Sequence, residues 1–144
     1  MKIITHILAS LILAIILYPV FDWKAIFIFA GGVLIDIDHY LWYIFKYKKF
    51  NFFDCYRYCL DMMKKPHCHE SIGTLLIFHS IELIMLIVFL SFYSEIVLAI
   101  TIGILIHFLM DMIFLYVAYK RIIITNYSLI LWIIKNRASE YNEK

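Results

Sequence analysis

The chain has 144 residues, 65% of them hydrophobic and 18% aromatic against 17% charged, with a mean hydropathy of +0.88. That balance excludes an ordinary soluble domain, in which about half the residues are apolar, and a net charge of +2 calls for no nucleic-acid partner. The expected fold is all-α and integral to a membrane, as a single helical domain.

A spanning helix needs about 20 mostly apolar residues, and four segments qualify: 3–21, 25–45, 71–93 and 95–119. The first, ITHILASLILAIILYPVF, is too long for a signal-peptide core and lacks a small-x-small cleavage site, so it is expected to be retained. The short link FDWK, with Trp23 suited to a membrane interface, predicts a tight antiparallel hairpin between the first two spans. The next stretch, KYKKFNFFDCYRYCLDMMKKP, alternates charges with aromatics and reads as an interfacial amphipathic helix over about residues 50–65. After the last span, TNYSLILWIIKNRASEYNEK predicts a second interfacial helix over about 126–138, because its apolar core is too short to cross. With four spans, every one of the 13 basic residues except Lys24 falls on one side. By the positive-inside rule both termini and the 46–70 connection are then cytoplasmic, in an inner membrane. Cys55, Cys59 and Cys68 lie on that side, where thiols stay reduced, and no disulfide is expected.

Ionisable groups inside spans cost on the order of 2.5–3.5 kcal/mol each and persist mainly where they face a protein interior. Here they come in pairs: Asp36 with His39, His79 with Glu82, and His107 with Asp111, spaced three or four apart so that each pair shares a helical face. At 1.5 Å per residue, His79 and Asp111 lie ~12 Å and His39 ~10 Å from the cytoplasmic ends of their spans. Glu82 and His107 are somewhat deeper, and His6 joins from the first span. All four spans thus feed one layer in the cytoplasmic half, while LILAIILY, AIFIFAGG and LIMLIVFL, without Asp, Glu, His, Lys or Arg, leave the outer half almost purely apolar. A transporter would need polar groups along both half-paths, which counts against transport. Gly103, His107 and Asp111 form one stripe, and Gly32 and Asp36 belong to another. Glycine on such a stripe lets helices approach closely. On a regular helix Asp38 points about 160° from Asp36, so both reach one site only if the helix is distorted.

Histidine and carboxylate without cysteine at the same depth form a ligand set for Zn²⁺ first, with Mn²⁺ or Fe²⁺ as alternatives, as one or two ions. The candidate ligands are His6, Asp36, His39, His69, His79, His107 and Asp111. His69, with His67 and Glu70 in KPHCHES, belongs to the mouth of the third span and is equally readable as a solvated patch. The CxxxC pair Cys55 and Cys59 is a weak signature for structural zinc.

Taken together, these pieces resemble the YdjM-like family of small inner-membrane proteins described as metal-dependent hydrolases. That family carries an early His in the first helix, P-D-[IV]-D-H in the second, H-R-G-x-T-H-S before the third and [ST]-H-x-x-x-D in the fourth. The matching residues are His6; Asp36, Asp38 and His39 in DIDH; His69 in CHES; and His107 with Asp111. His79 and Glu82, in FHSIE, have no counterpart in those motifs. The resemblance implies a metal-dependent hydrolase, and the depth of the site suggests a membrane lipid or lipid-linked ester or phosphoester entering from the inner leaflet. Glu82, Asp36 and Asp38 are the candidate general bases. The rival readings are a non-catalytic metal-binding membrane protein and a metal or proton carrier.

Overall fold

The computed structural model describes residues 2–63, 76–119 and 127–134, and these are helical with short connections. Helix α1, Ile3–Phe21, carries Pro19 in its last turn and stops at Asp22, which adopts a positive φ of 51° and donates its N–H to the Tyr18 carbonyl. A single 3₁₀ turn, Asp22–Ala25, leads into α2, Ile26–Leu34. The chain then breaks for two residues before α3, Ile37–Tyr47. In the break the Asp36 N–H reaches the Val33 carbonyl at 3.4 Å and the His39 N–H the Asp36 carbonyl at 3.2 Å, each a three-residue rather than a four-residue step. Lys48, in the left-handed region at φ 55°, ends α3. Helix α4 is Phe52–Met63, α5 is Ile81–Ser91, α6 is Glu95–Tyr119, and residues 129–134 form a short α7.

Glycine sets how these helices meet. A Cβ on Gly103 would fall inside the Ile28 carbonyl oxygen, one on Gly31 inside the Ile100 carbonyl and one on Gly32 inside the Ser10 hydroxyl. Backbones therefore approach to a distance that any side chain would prevent. The register is constant along α2 and α6: Ile28 meets Gly103, and four residues further along both chains Gly32 meets His107, an offset of 75. These two helices run parallel. Helix α1 runs antiparallel to both, since Ser10 packs on Gly32 while Ala14 clusters with Ile28 and Ala99. Helix α5 also opposes α6, with Ile84 packed near Ile104 and the Thr101 hydroxyl directed to the Ile87 carbonyl.

Polarity is distributed inside-out. The most deeply buried side chains include His6, His79, His107 and Ser10, while Ile15, Ile16, Val20, Phe92 and many other large apolar side chains face outward. Two stretches, Ile3–Tyr47 (which contains the α1–α2 reversal) and Glu95–Ala118, are long and apolar enough to cross a membrane. The third expected span departs from expectation. Among the described residues its helix is only the 11 residues Ile81–Ser91, about 16 Å at 1.5 Å per residue. Ser80 is the reason, because its hydroxyl caps the helix by accepting from the Leu83 N–H, and the chain before it is a turn. The segment expected to lie at an interface around 50–65 is helical as α4 up to Met63. Of the one expected over 126–138, residues 129–134 are helical and the rest lies outside the described residues.

Candidate metal centre

The candidate side chains arrive from five pieces of chain. His6 comes from the first turns of α1, Asp36 from the break between α2 and α3, Asp38 and His39 from the start of α3, His79 from the turn before the α5 cap, and His107 and Asp111 from successive turns of α6. The break answers the geometric difficulty with Asp38: because the helix is not regular at Asp36, both aspartates reach the same cluster. His79 corrects a second expectation, since it precedes its helix and shares no helical face with Glu82.

At the focus, the His79 and His107 Nε2 atoms stand 3.3 Å apart. Asp111 Oδ2 lies 3.3 Å from His107 Nε2 and 3.7 Å from His79 Nε2. Asp36 Oδ1 lies 3.5 Å from the first nitrogen and 3.9 Å from the second. Four ligands ~2.0–2.1 Å from zinc at tetrahedral angles stand about 3.3–3.4 Å from one another, so the observed edges approach those of a coordination tetrahedron.

The tautomers point the same way. His107 Nδ1 is 2.7 Å from the Gly32 carbonyl, which can only accept, so this nitrogen carries the proton. His79 Nδ1 donates to Asp38 Oδ2 at 2.9 Å. In the neutral imidazoles both Nε2 atoms are then lone pairs, facing each other and two carboxylate oxygens. In neutral histidines no donor lies at that point, and electron pairs this close are tolerable only around a cation or a proton. Buried His and Asp groups here could hold a metal ion: Asp36 with His79 and His107, His6 with His107 and Asp111, and Asp38 with His39 and His79.

Around the focus, the residues divide by contact. Asp38 takes its place behind His79, with the Phe78 N–H also donating to Oδ2 at 3.2 Å, while its Oδ1 is buried with no hydrogen-bond partner. His6 stacks on the His107 ring at 3.8 Å between centroids and sets its Nε2 3.2 Å from Asp111 Oδ1, leaving a buried Nδ1 without a hydrogen bond. His39 Nε2 is 3.6 Å from Asp36 Oδ1, and its side chain, 38% exposed, is the most exposed of the cluster.

Glu82 does not join the cluster. Its Oε1 accepts from the Ser128 hydroxyl at 2.6 Å and the Ile130 N–H at 3.3 Å, and its Oε2 from the Leu129 N–H at 3.0 Å. The expectation that it serves as a general base is thus corrected: the carboxylate is consumed in capping α7. Of the two Asp38 oxygens, Oδ2 is taken by His79 Nδ1 and the Phe78 N–H, so only Oδ1 is left for the role expected of this residue. His69, with His67 and Glu70, lies outside the described residues, as does Cys68. Cys55 and Cys59 are free thiols on α4. Burial pushes both pKa values up, Cys59 to about 12, which leaves them neutral and poor ligands.

Two contacts had no distinct signal in the sequence: the Gly32 carbonyl as the partner of His107, which the close-approach stripe only hinted at, and the Phe78 N–H on Asp38. Compared with protein-family models, curated proteins and solved structures, the chain gives no match.

Proposed function

We propose that this chain is a membrane-embedded, metal-dependent hydrolase, with both termini and the open side of its site toward the cytoplasm, acting on a lipid-linked ester or phosphoester. What carries this reading is the convergence of the two lone-pair nitrogens of His79 and His107 with Asp36 and Asp111 at near-tetrahedral spacing. In this reading those four residues hold one divalent cation, with zinc the first choice for a two-histidine, two-carboxylate set. The chain crosses the membrane four times, α1, α2–α3 and α6 as full spans and α5 with the residues before it as the third. Such a cation, when bound, lowers the pKa of water toward 7 and polarises the scissile ester. Asp36, at 17% side-chain exposure beside His39, would hold the ion through Oδ1 and take through its other oxygen the proton of a water entering as an added ligand. Asp38 and the Gly32 carbonyl hold the two imidazoles in the Nδ1–H tautomer, and His6 holds Asp111. The apolar opposite end closes the site to the other face, which favours hydrolysis over transport. The likeness to YdjM-like proteins in DIDH and HFLMD supports the hydrolase label.

Two measurements on purified protein test this together. Elemental analysis should find a stoichiometric divalent metal, and a panel of phospholipids and polyprenyl phosphates should yield water-soluble product that Asp36→Asn, which removes a ligand charge together with the proposed base, reduces by at least about 10²-fold. Bound metal with no hydrolysis above background across the panel would favour the passive metal-binding protein, and absence of metal in native protein would remove both readings.

A further inference from the structure

We infer that the centre is binuclear, with a second divalent cation seated beside the first on Asp38 and His39. This deepens the metal-centre reading and rests on it.

The first cation uses the charge of Asp36 and Asp111, leaving Asp38 as a further carboxylate in the same buried cluster. Its side chain is only 6% exposed. One oxygen is used twice, by His79 Nδ1 and the Phe78 N–H, while the other is buried and accepts no hydrogen bond. A buried carboxylate oxygen with no donor is costly, and a cation is one of the few partners that removes the cost. A ligand atom for such a cation stands alongside, since donor atoms of Asp38, His39 and His79 lie within 4.8 Å of one another. The His79 nitrogen facing Asp38 is already engaged, which leaves Asp38 Oδ1 and the His39 imidazole as the available pair.

Asp36 borders both positions, with the same Oδ1 3.5 Å from His107 Nε2 and 3.6 Å from His39 Nε2. A carboxylate so placed is what spans two metals about 3.5–4 Å apart in two-metal hydrolases. The second position is also the more open, through His39, so that water or a substrate phosphoryl oxygen can complete its coordination. Oxygen-rich with one imidazole, this site suits Mn²⁺, Mg²⁺ or Zn²⁺. Its chemical role is to bind the ester or phosphoester oxygen opposite the attacking water.

The experiment strips purified full-length protein of metal and reloads it with Mn²⁺ alone, reading stoichiometry by elemental analysis and coupling by electron paramagnetic resonance. Wild type should take up about two ions per chain with an exchange-coupled spectrum, and His39→Ala about one ion with the isolated six-line spectrum. One ion per wild-type chain, uncoupled, would overturn the second site while sparing the first. Two coupled ions retained in His39→Ala would overturn the ligand assignment. No bound Mn²⁺, with no metal in the native protein either, would instead remove the metal-centre reading on which the inference stands.

Discussion

At the Lys24 end of the bundle, α1, α2 and α6 meet through Ala14, Ala25, Ile28 and Ala99, and the ion pair of Lys24 with Glu95 lies outside this core. At the other end the same helices, joined by the turn before α5, meet through His6, Asp36, His79, His107 and Asp111. The first region is held by small, shape-matched side chains, the second by directed polar contacts that make chemical sense only around a positive charge. Between them lie Gly31, Gly32 and Gly103, whose missing side chains let α2 approach both α1 and α6. The apolar end thus fixes the spacing on which the polar end depends. His107 reaches the Gly32 carbonyl at 2.7 Å because Gly103, one turn earlier, lies against the Ile28 backbone.

The sharpest way to break the contrast is to remove the polar focus. On the proposed function, His107→Ala should bring bound metal and hydrolysis to background while helix content persists, as read by elemental analysis and circular dichroism, because one of the four proposed ligands and its carbonyl anchor vanish together. Next comes the boundary: Gly103→Val drives a side chain into the Ile28 backbone, which cannot rotate aside. Overpacking of this kind costs about 1–3 kcal/mol or more, and thermal unfolding in detergent should fall, with metal affinity falling alongside. If metal affinity is untouched, the two ends are independent and the comparison fails. Asp38→Asn should weaken metal binding about 10–100-fold, the usual effect of disturbing a ligand's hydrogen-bond partner, measured by competition with a chelator. Glu82→Gln should leave metal and turnover unchanged and cost about 1–2 kcal/mol at the α7 cap, seen as faster proteolysis near residue 127. Smallest of all, Lys24→Ala should change stability by less than about 1 kcal/mol, as exposed ion pairs do.

How much of this was legible in the sequence depends on the range of the contact. The pairing of His107 with Asp111 follows from helical spacing alone, and the rise per residue put His6, His39 and His107 in one layer; His79 joins them from the turn before its helix, where the helical rise does not apply. The expected glycine stripe also matches the close contacts of Gly32 and Gly103. What periodicity could not give was where helices stop. The Ser80 cap and the break at Asp36 are backbone events set by hydrogen bonds a few residues long, and both changed which side chains face which neighbours. Glu82 was misread for a related reason: its partners at 128–130 are 46–48 residues away in sequence, and nothing in α5 announces them.

The constant offset of 75 between α2 and α6 also governs when the centre can come into being. Asp36, Asp38 and His39 leave the ribosome long before His107, and at 5–20 residues per second the interval is about 3–14 s. Throughout that time the first hairpin carries two carboxylates and an imidazole with no partners from α5 or α6, in a segment otherwise fit for lipid. The hairpin's register, set by Ser10 on Gly32, does not require the later helices, so α1 and α2 can close early while the break at Asp36 waits. Completion belongs to α6, the last long helix among the described residues, which supplies two of the four ligands of the proposed first ion at once. The proposed centre is therefore complete only once α6 is in place, and a chain truncated before residue 107 would lack two of its four proposed ligands, His107 and Asp111.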